Sequence, residues 1–181
     1  MSYEKLSKDR LERDIVSVLG VFYHEDRFLI EQDVGERCMT ARIFAYLRCL
    51  TVGASDYAGL HIDTEYNRIL KDASPKCIIN GKLGIPDIVI HNRGDCSANI
   101  CAMEFKKEKN EKRKDYKKSK EKDYEKLRKL TEYSEDSFSY GYRYGIHIVI
   151  GKNRVSFTWF QNGEKVEETH LYDIHNWNRL E

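Results

Sequence analysis

Pro86-Asp87-Ile88-Val89-Ile90 and Ala102-Met103-Glu104-Phe105-Lys106 are two short alternating segments, separated by Asn92-Arg93-Gly94-Asp95-Cys96-Ser97-Ala98-Asn99, a stretch rich in turn formers. Successive side chains of a strand point to opposite faces, so Asp87, Val89 and His91 share one side while Ile88 and Ile90 share the other. The same alternation separates Ala102, Glu104 and Lys106 from Cys101, Met103 and Phe105. An antiparallel return is the simplest connection, and a symmetric register pairs Ile90 with Cys101 and Asp87 with Glu104. Directly opposed residues lie on the same side of a sheet. One face is therefore predicted to be apolar, and the other to gather two carboxylates with Lys106 one pleat further along. Two carboxylates at that range repel unless a cation lies between them, and a hard divalent ion with oxygen ligands is the usual remedy.

Composition bounds what such a hairpin can belong to. The 181 residues fit one domain, long enough to bury a core. A formal charge of +1 gives no global attraction to a polyanion, yet residues 105–129 hold 13 Lys and Arg against 6 Asp and Glu. Cys38, Cys49, Cys77, Cys96 and Cys101 form an odd set without C-x-x-C spacing. That pattern argues against a disulfide framework and a structural zinc site, suits a reducing cytoplasm, and leaves the cysteines as small buried apolar residues. Met1 to Arg13 is charged throughout, and no stretch approaches the length of a membrane helix, so neither export nor a membrane partner is expected.

Leu6, Leu11, Ile15, Val18, Leu19 and Phe22 recur at helical spacing and predict an amphipathic N-terminal helix ending near Gly20. A second helix is predicted from about Val34 to Leu50, with Met39, Ile43, Tyr46, Leu47 and Leu50 as its stripe and Glu36 on the same side. A short strand reads from Leu60 to about Asn67. After the hairpin, the run from Lys107 to about Thr131 lacks Gly and Pro and predicts a basic helix. Three strands follow, at residues 145–150, 154–160 and 164–171, the last two joined by the hairpin signal Asn162-Gly163. Trp159 reads as core and Trp177 as a C-terminal anchor.

This order of elements and these motifs resemble the PD-(D/E)xK nuclease superfamily, over roughly residues 35–150. Pro-Asp occurs once in the chain and E-x-K once, at Glu104-Phe105-Lys106; Asp115-Tyr116-Lys117, the one D-x-K, falls in the charged run. Glu65-Tyr66-Asn67-Arg68, and Asp123 to Thr131, also resemble a pattern of uncharacterised bacterial members. The resemblance implies an α/β fold with a central mixed β-sheet flanked by helices. Its restriction-endonuclease-like αβββαβ core would span residues 34–150, with an N-terminal helical extension at 1–33 and a C-terminal β-meander at 151–181. It implies metal coordination by Asp87, Glu104 and the backbone carbonyl of Phe105, water activation or phosphate stabilisation by Lys106, and an additional helical acid in Glu36. The cofactor would be Mg²⁺ or Mn²⁺, and the activity hydrolysis of phosphodiester bonds, in DNA rather than RNA. Many relatives act as homodimers or in larger complexes.

Lys107, Lys109, Arg113 and Lys117 in the basic run, with His91 on the charged face, are the candidate nucleic-acid contacts, and counterion release would supply their affinity. Each assignment has a plainer competitor. A first-turn Glu36 is favoured by the helix dipole without any metal, Asp63 and Glu65 suit an ordinary polar strand face, and a Lys/Glu-rich helix is stable in water through its own ion pairs. A catalytically silent nucleic-acid binder, or an assembly subunit on the same fold, is the alternative to an enzyme.

Overall fold

A computed structural model describes residues 6–66, 78–79, 82–94, 98–109, 114–133 and 140–180. Helix α1 (Lys8–Glu25) buries Leu11, Ile15, Val18, Leu19 and Phe22, the stripe read from the sequence. Ser7 caps it by accepting from the Arg10 N–H at 3.2 Å. The helix passes through Gly20 instead of ending there, because the stripe continues to the buried Tyr23 and the Trp177 indole packs beside Gly20. A single turn, α2 (Arg27–Glu31), leads to α3 (Glu36–Thr51), which turns Met39, Ile43 and Leu47 inward. Cys38 and Cys49 lie off that stripe and are exposed, against expectation, while Cys101 is buried. Cys77 and Cys96 lie outside the described residues.

The strands are β1 (His61–Thr64), β2 (Ile78–Ile79), β3 (Lys82–Leu83), β4 (Ile88–His91) and β5 (Cys101–Lys107), then, after α4 (Lys114–Thr131), β6 (Tyr144–Ile150), β7 (Arg154–Gln161), β8 (Glu164–Asp173) and β9 (Arg179–Leu180). Seven form an open mixed sheet in the order β1-β4-β5-β6-β7-β8-β9, and β2 pairs with β3. β5 and β6 are parallel, which requires the crossover that α4 supplies, and the other pairs are antiparallel. Ile90 does pair with Cys101. β1 is shorter than predicted because Glu65, at φ 47°, turns the chain out of the strand. Asn162 and Gly163, at φ 53° and 78°, make the tight turn between β7 and β8.

Both faces of the sheet are covered. Ile88, Ile90, Met103, Phe105, Ile148 and Trp159 pack with α1 and α3, while Val89, Ala102 and Phe160 pack under Tyr124, Leu127 and Leu130 of α4. The close seat of α4 depends on Gly145, where a Cβ would lie 3.1 Å from Thr131 Cγ2 and 3.3 Å from Leu127 Cβ. Among the described residues no helix is long and apolar enough to cross a membrane.

One buried polar knot ties α1 to the far strands. Glu12 accepts from Trp159 Nε1 at 3.0 Å and from the Tyr172 hydroxyl at 2.6 Å, and it meets His170 Nδ1. Glu12→Ala would strand these donors away from water, and we expect it to cost about 2–3 kcal/mol of unfolding free energy. A urea midpoint matching the wild type would count against that reading.

Candidate active site

β5 runs past the end of β4, and that mismatch builds the site. Asp87 N–H donates to the Met103 carbonyl at 3.1 Å, the last backbone bond from β4 to β5. Beyond it, side chains take over the edge. Asp87 Oδ2 accepts from Phe105 N–H at 2.8 Å, and Glu36 Oε1, at the start of α3, accepts from Lys107 N–H at 3.2 Å. Amide and carbonyl of one strand residue point to the same side, so the Phe105 carbonyl faces this edge between the two carboxylates. A cleft of about 290 Å³ opens here, lined by Glu36, Asp87, Phe105 and Lys106, with Arg37 and Glu65 exposed at its rim.

The charged face of β5 is not bathed in solvent as an isolated hairpin would leave it. Glu104 is 2 % exposed beneath α4. Lys126 of α4 places Nζ 2.8 Å from Glu104 Oε1, in ion-pair contact without the alignment of a full hydrogen bond, and donates to the Ile85 carbonyl at 3.0 Å. Lys106 Nζ lies 3.2 Å from Asp123 Oδ2 and 3.4 Å from Glu36 Oε2. The structure thus brings Asp87, Glu104, Lys106 and Glu36 into one charge network, and adds Asp123 and Lys126. His147 stands beside Glu104 in the parallel register, its Nε2 3.9 Å from Asp123 Oδ2 and its ring edge-on to Tyr124.

Burial pushes the Asp87, Glu104 and Asp123 carboxyls above their ordinary range, Glu104 well above it, and the neighbouring carboxylates add to the rise at Glu104. Burial also opposes the Lys106 charge, but Asp123, Glu36 and Glu104 outweigh it and hold the ammonium protonated beyond its usual range. Lys126→Met would remove the ammonium that opposes the rise of the Glu104 carboxyl and satisfies the Ile85 carbonyl, and should cost about 3 kcal/mol at pH 7. The sign with pH is fixed by the raised carboxyl. As pH falls toward the ordinary carboxyl range, the folded variant takes up a proton on Glu104 more readily than the unfolded chain, so the deficit shrinks. Urea titrations at pH 7 and pH 5 check this; equal deficits at both would contradict it.

The sequence missed Asp123, Lys126 and His147 as site residues. Asp123 left a trace, since it shares the helical face of Tyr116, Leu127 and Leu130, where an acid is out of place. Lys109 and Lys117 are exposed, and Arg113 lies outside the described residues. Lys107 is instead buried, because alternation aligns it with Phe105; it meets Asp33 and donates to the Val34 carbonyl at 2.8 Å. His91 is also buried, 2.9 Å from Asp63 Oδ2, with the Tyr66 ring against it. Burial would raise the Asp63 carboxyl, but Arg93 and His91 together hold it down at about 2. Asp63 serves this clamp, and Glu65 sits 3.5 Å from Arg37 at the rim.

Among the described residues, no three carboxylate, imidazole or thiol groups are grouped so as to hold a metal ion as placed. The donor chemistry nevertheless fits a hard cation. Four acids face two ammonium groups, and Glu104 Oε1 and Asp123 Oδ2 are buried with no hydrogen-bond partner among the described residues. Comparison with protein-family models, with curated proteins and with solved structures gives no match.

Proposed function

We propose that this chain is a metal-dependent nuclease on a restriction-endonuclease-like core, hydrolysing phosphodiester bonds in DNA. The order α3, β1, β4, β5, α4, β6 supports the αβββαβ core. The observation that carries the reading is the gathering of Asp87, Phe105 and Lys106 at the cleft where β4 stops and β5 continues, with Glu104 buried beside Asp87 under α4. Asp87, Glu104 and the Phe105 carbonyl would hold Mg²⁺ or Mn²⁺, with Glu36 beside them. The ion, when bound, supplies positive charge against the phosphate oxygens, where negative charge develops during hydrolysis. Lys106, held as an ammonium, suits phosphate stabilisation rather than proton abstraction. Asp87 keeps the β5 edge open by occupying the Phe105 N–H, and exposed Lys109 and Lys117 extend positive charge for the strand.

One observation favours a second reading, a silent nucleic-acid binder. Lys126 and Lys106 already sit among the acids, so a divalent ion must compete with two internal cations. Incubation of wild type, Asp87→Asn and Lys106→Met with linear and circular DNA under Mg²⁺, Mn²⁺ or chelator separates the two. Scission that needs metal and is lost in both variants supports the nuclease; salt-sensitive binding without scission supports the binder.

A further inference from the structure

On the opposite flank of α4 from the cleft, a second cavity of about 370 Å³ opens between the helix and strands β7 and β8. Its charge pattern is the reverse of the acid cluster. Among the described residues the lining carries Lys120, Arg154 and Lys165 against one acid, Glu108. Glu108 is committed: Arg154 donates to it at 2.8 Å, and it packs over Gly151, where a Cβ would lie 2.4 Å from Oε2. Three cations converge on the single ring of Tyr124, with Lys120 at 5.6 Å and Lys165 and Arg128 each at 6.0 Å. Arg128 is paired with Glu121 at 2.9 Å and lies outside the lining, so Lys120 and Lys165 are the two ammonium groups that the ring brings together at the groove, and an anion between them is favourable.

The floor supplies hydroxyls in place of carboxylates. Thr158 and Thr169 are cross-strand neighbours on β7 and β8, with their oxygens 3.4 Å apart, and the Tyr124 hydroxyl lies 3.3 Å from Thr158 Oγ1. These are long contacts: the Tyr124 hydroxyl donates to Thr158 and one threonine donates to the other, which leaves oxygen lone pairs on all three and one threonine proton for a ligand. Lysines above a hydroxyl floor match a phosphate with ester oxygens beside it, and the cavity exceeds what a bare phosphate needs. We propose that this groove is a phosphate-ester binding site, in which Lys120 and Lys165 hold the phosphate while Tyr124, Thr158 and Thr169 meet the ester and sugar oxygens. No residue of the groove belongs to the acid cluster, so the assignment stands apart from the nuclease reading.

The same chemistry is offered by a free nucleotide and by the backbone of a nucleic-acid strand. Calorimetric titration of the full chain with AMP and with a short single-stranded oligonucleotide, in chelator so that nothing is cut, distinguishes them. Binding of either ligand is expected, weakened about tenfold or more in Lys120→Ala/Lys165→Ala. If the loss is seen with AMP, the site takes a free ester. If it is seen only with the oligonucleotide, the site tracks a strand, and the slope of log affinity against log salt should flatten by about 1.4 for two phosphate contacts. Lys165→Ala alone, exposed on β8, carries the test with about a threefold loss should the double variant be unstable. Failure of the wild type to bind either ligand, or unchanged affinity in the variants, would overturn the site. Because no cleavage is measured, a failed nuclease assay leaves this result intact.

Discussion

Lys106→Met is expected to slow Mg²⁺-dependent strand scission by at least about a thousandfold, roughly 4 kcal/mol in the barrier. The methionine keeps much of the side-chain volume but removes the ammonium that lies within 3.4 Å of both Asp123 and Glu36 beside the cleft. Without it, charge developing on a phosphate in the cleft loses a partner held close in a site partly shielded from water. Asp87→Asn should have an effect of similar size for a different reason. Its amide oxygen can still accept from Phe105 N–H, so the β5 edge stays capped while the charge that would hold a divalent ion is gone. Thermal midpoints near the wild type together with lost cutting would separate chemistry from folding. Full activity in either variant would remove the nuclease reading.

The second large effect is acid sensitivity set by His147. The ring is fully buried, neither nitrogen finds a hydrogen-bond partner among the described residues, and burial pushes its pKa down to about 3, assisted by Lys120, Lys106 and Lys126. An unfolded chain takes up this proton near pH 6.5, and the folded protein refuses it until about pH 3. Stability is therefore complete above pH 6.5 and drains away as pH falls, by up to roughly 5 kcal/mol across the window. The raised carboxyls of Asp87, Glu104 and Asp123 have the opposite slope, because folding favours their protonated forms. A comparison of wild type with His147→Gln cancels those acids. The difference in unfolding free energy between pH 7 and pH 4 should be several kcal/mol smaller in the variant, and parallel pH profiles would sink the assignment.

Much of the candidate site is legible in the sequence. Strand alternation put Glu104 and Lys106 on one face and Met103 and Phe105 on the other, because the period of a strand is independent of what packs on it. The Ile90–Cys101 register followed from the same pattern and from the turn residues between the strands. Asp123, Lys126 and His147 were hidden for one reason: each reaches the site from an element distant in sequence, and no local period records which face of α4 meets which strand. The misplacement of Lys107 and His91 has a related origin. Charge suggested a surface role, but Asp33 with the Val34 carbonyl, and Asp63, offered buried partners that only long-range packing supplies.

The long helices, the hairpin and the placing of two acids and a lysine on one face are written in the sequence, since backbone periodicity and turn chemistry are local properties. Tertiary structure alone decided that α4 closes over that face. Gly145 lets the helix approach β6, Lys126 and Asp123 come down onto Glu104 and Lys106, and the charges are carried out of water, where their mutual energies grow. Burial is a property of the whole packed chain, and so the electrostatics of the site belong to the fold rather than to the motif.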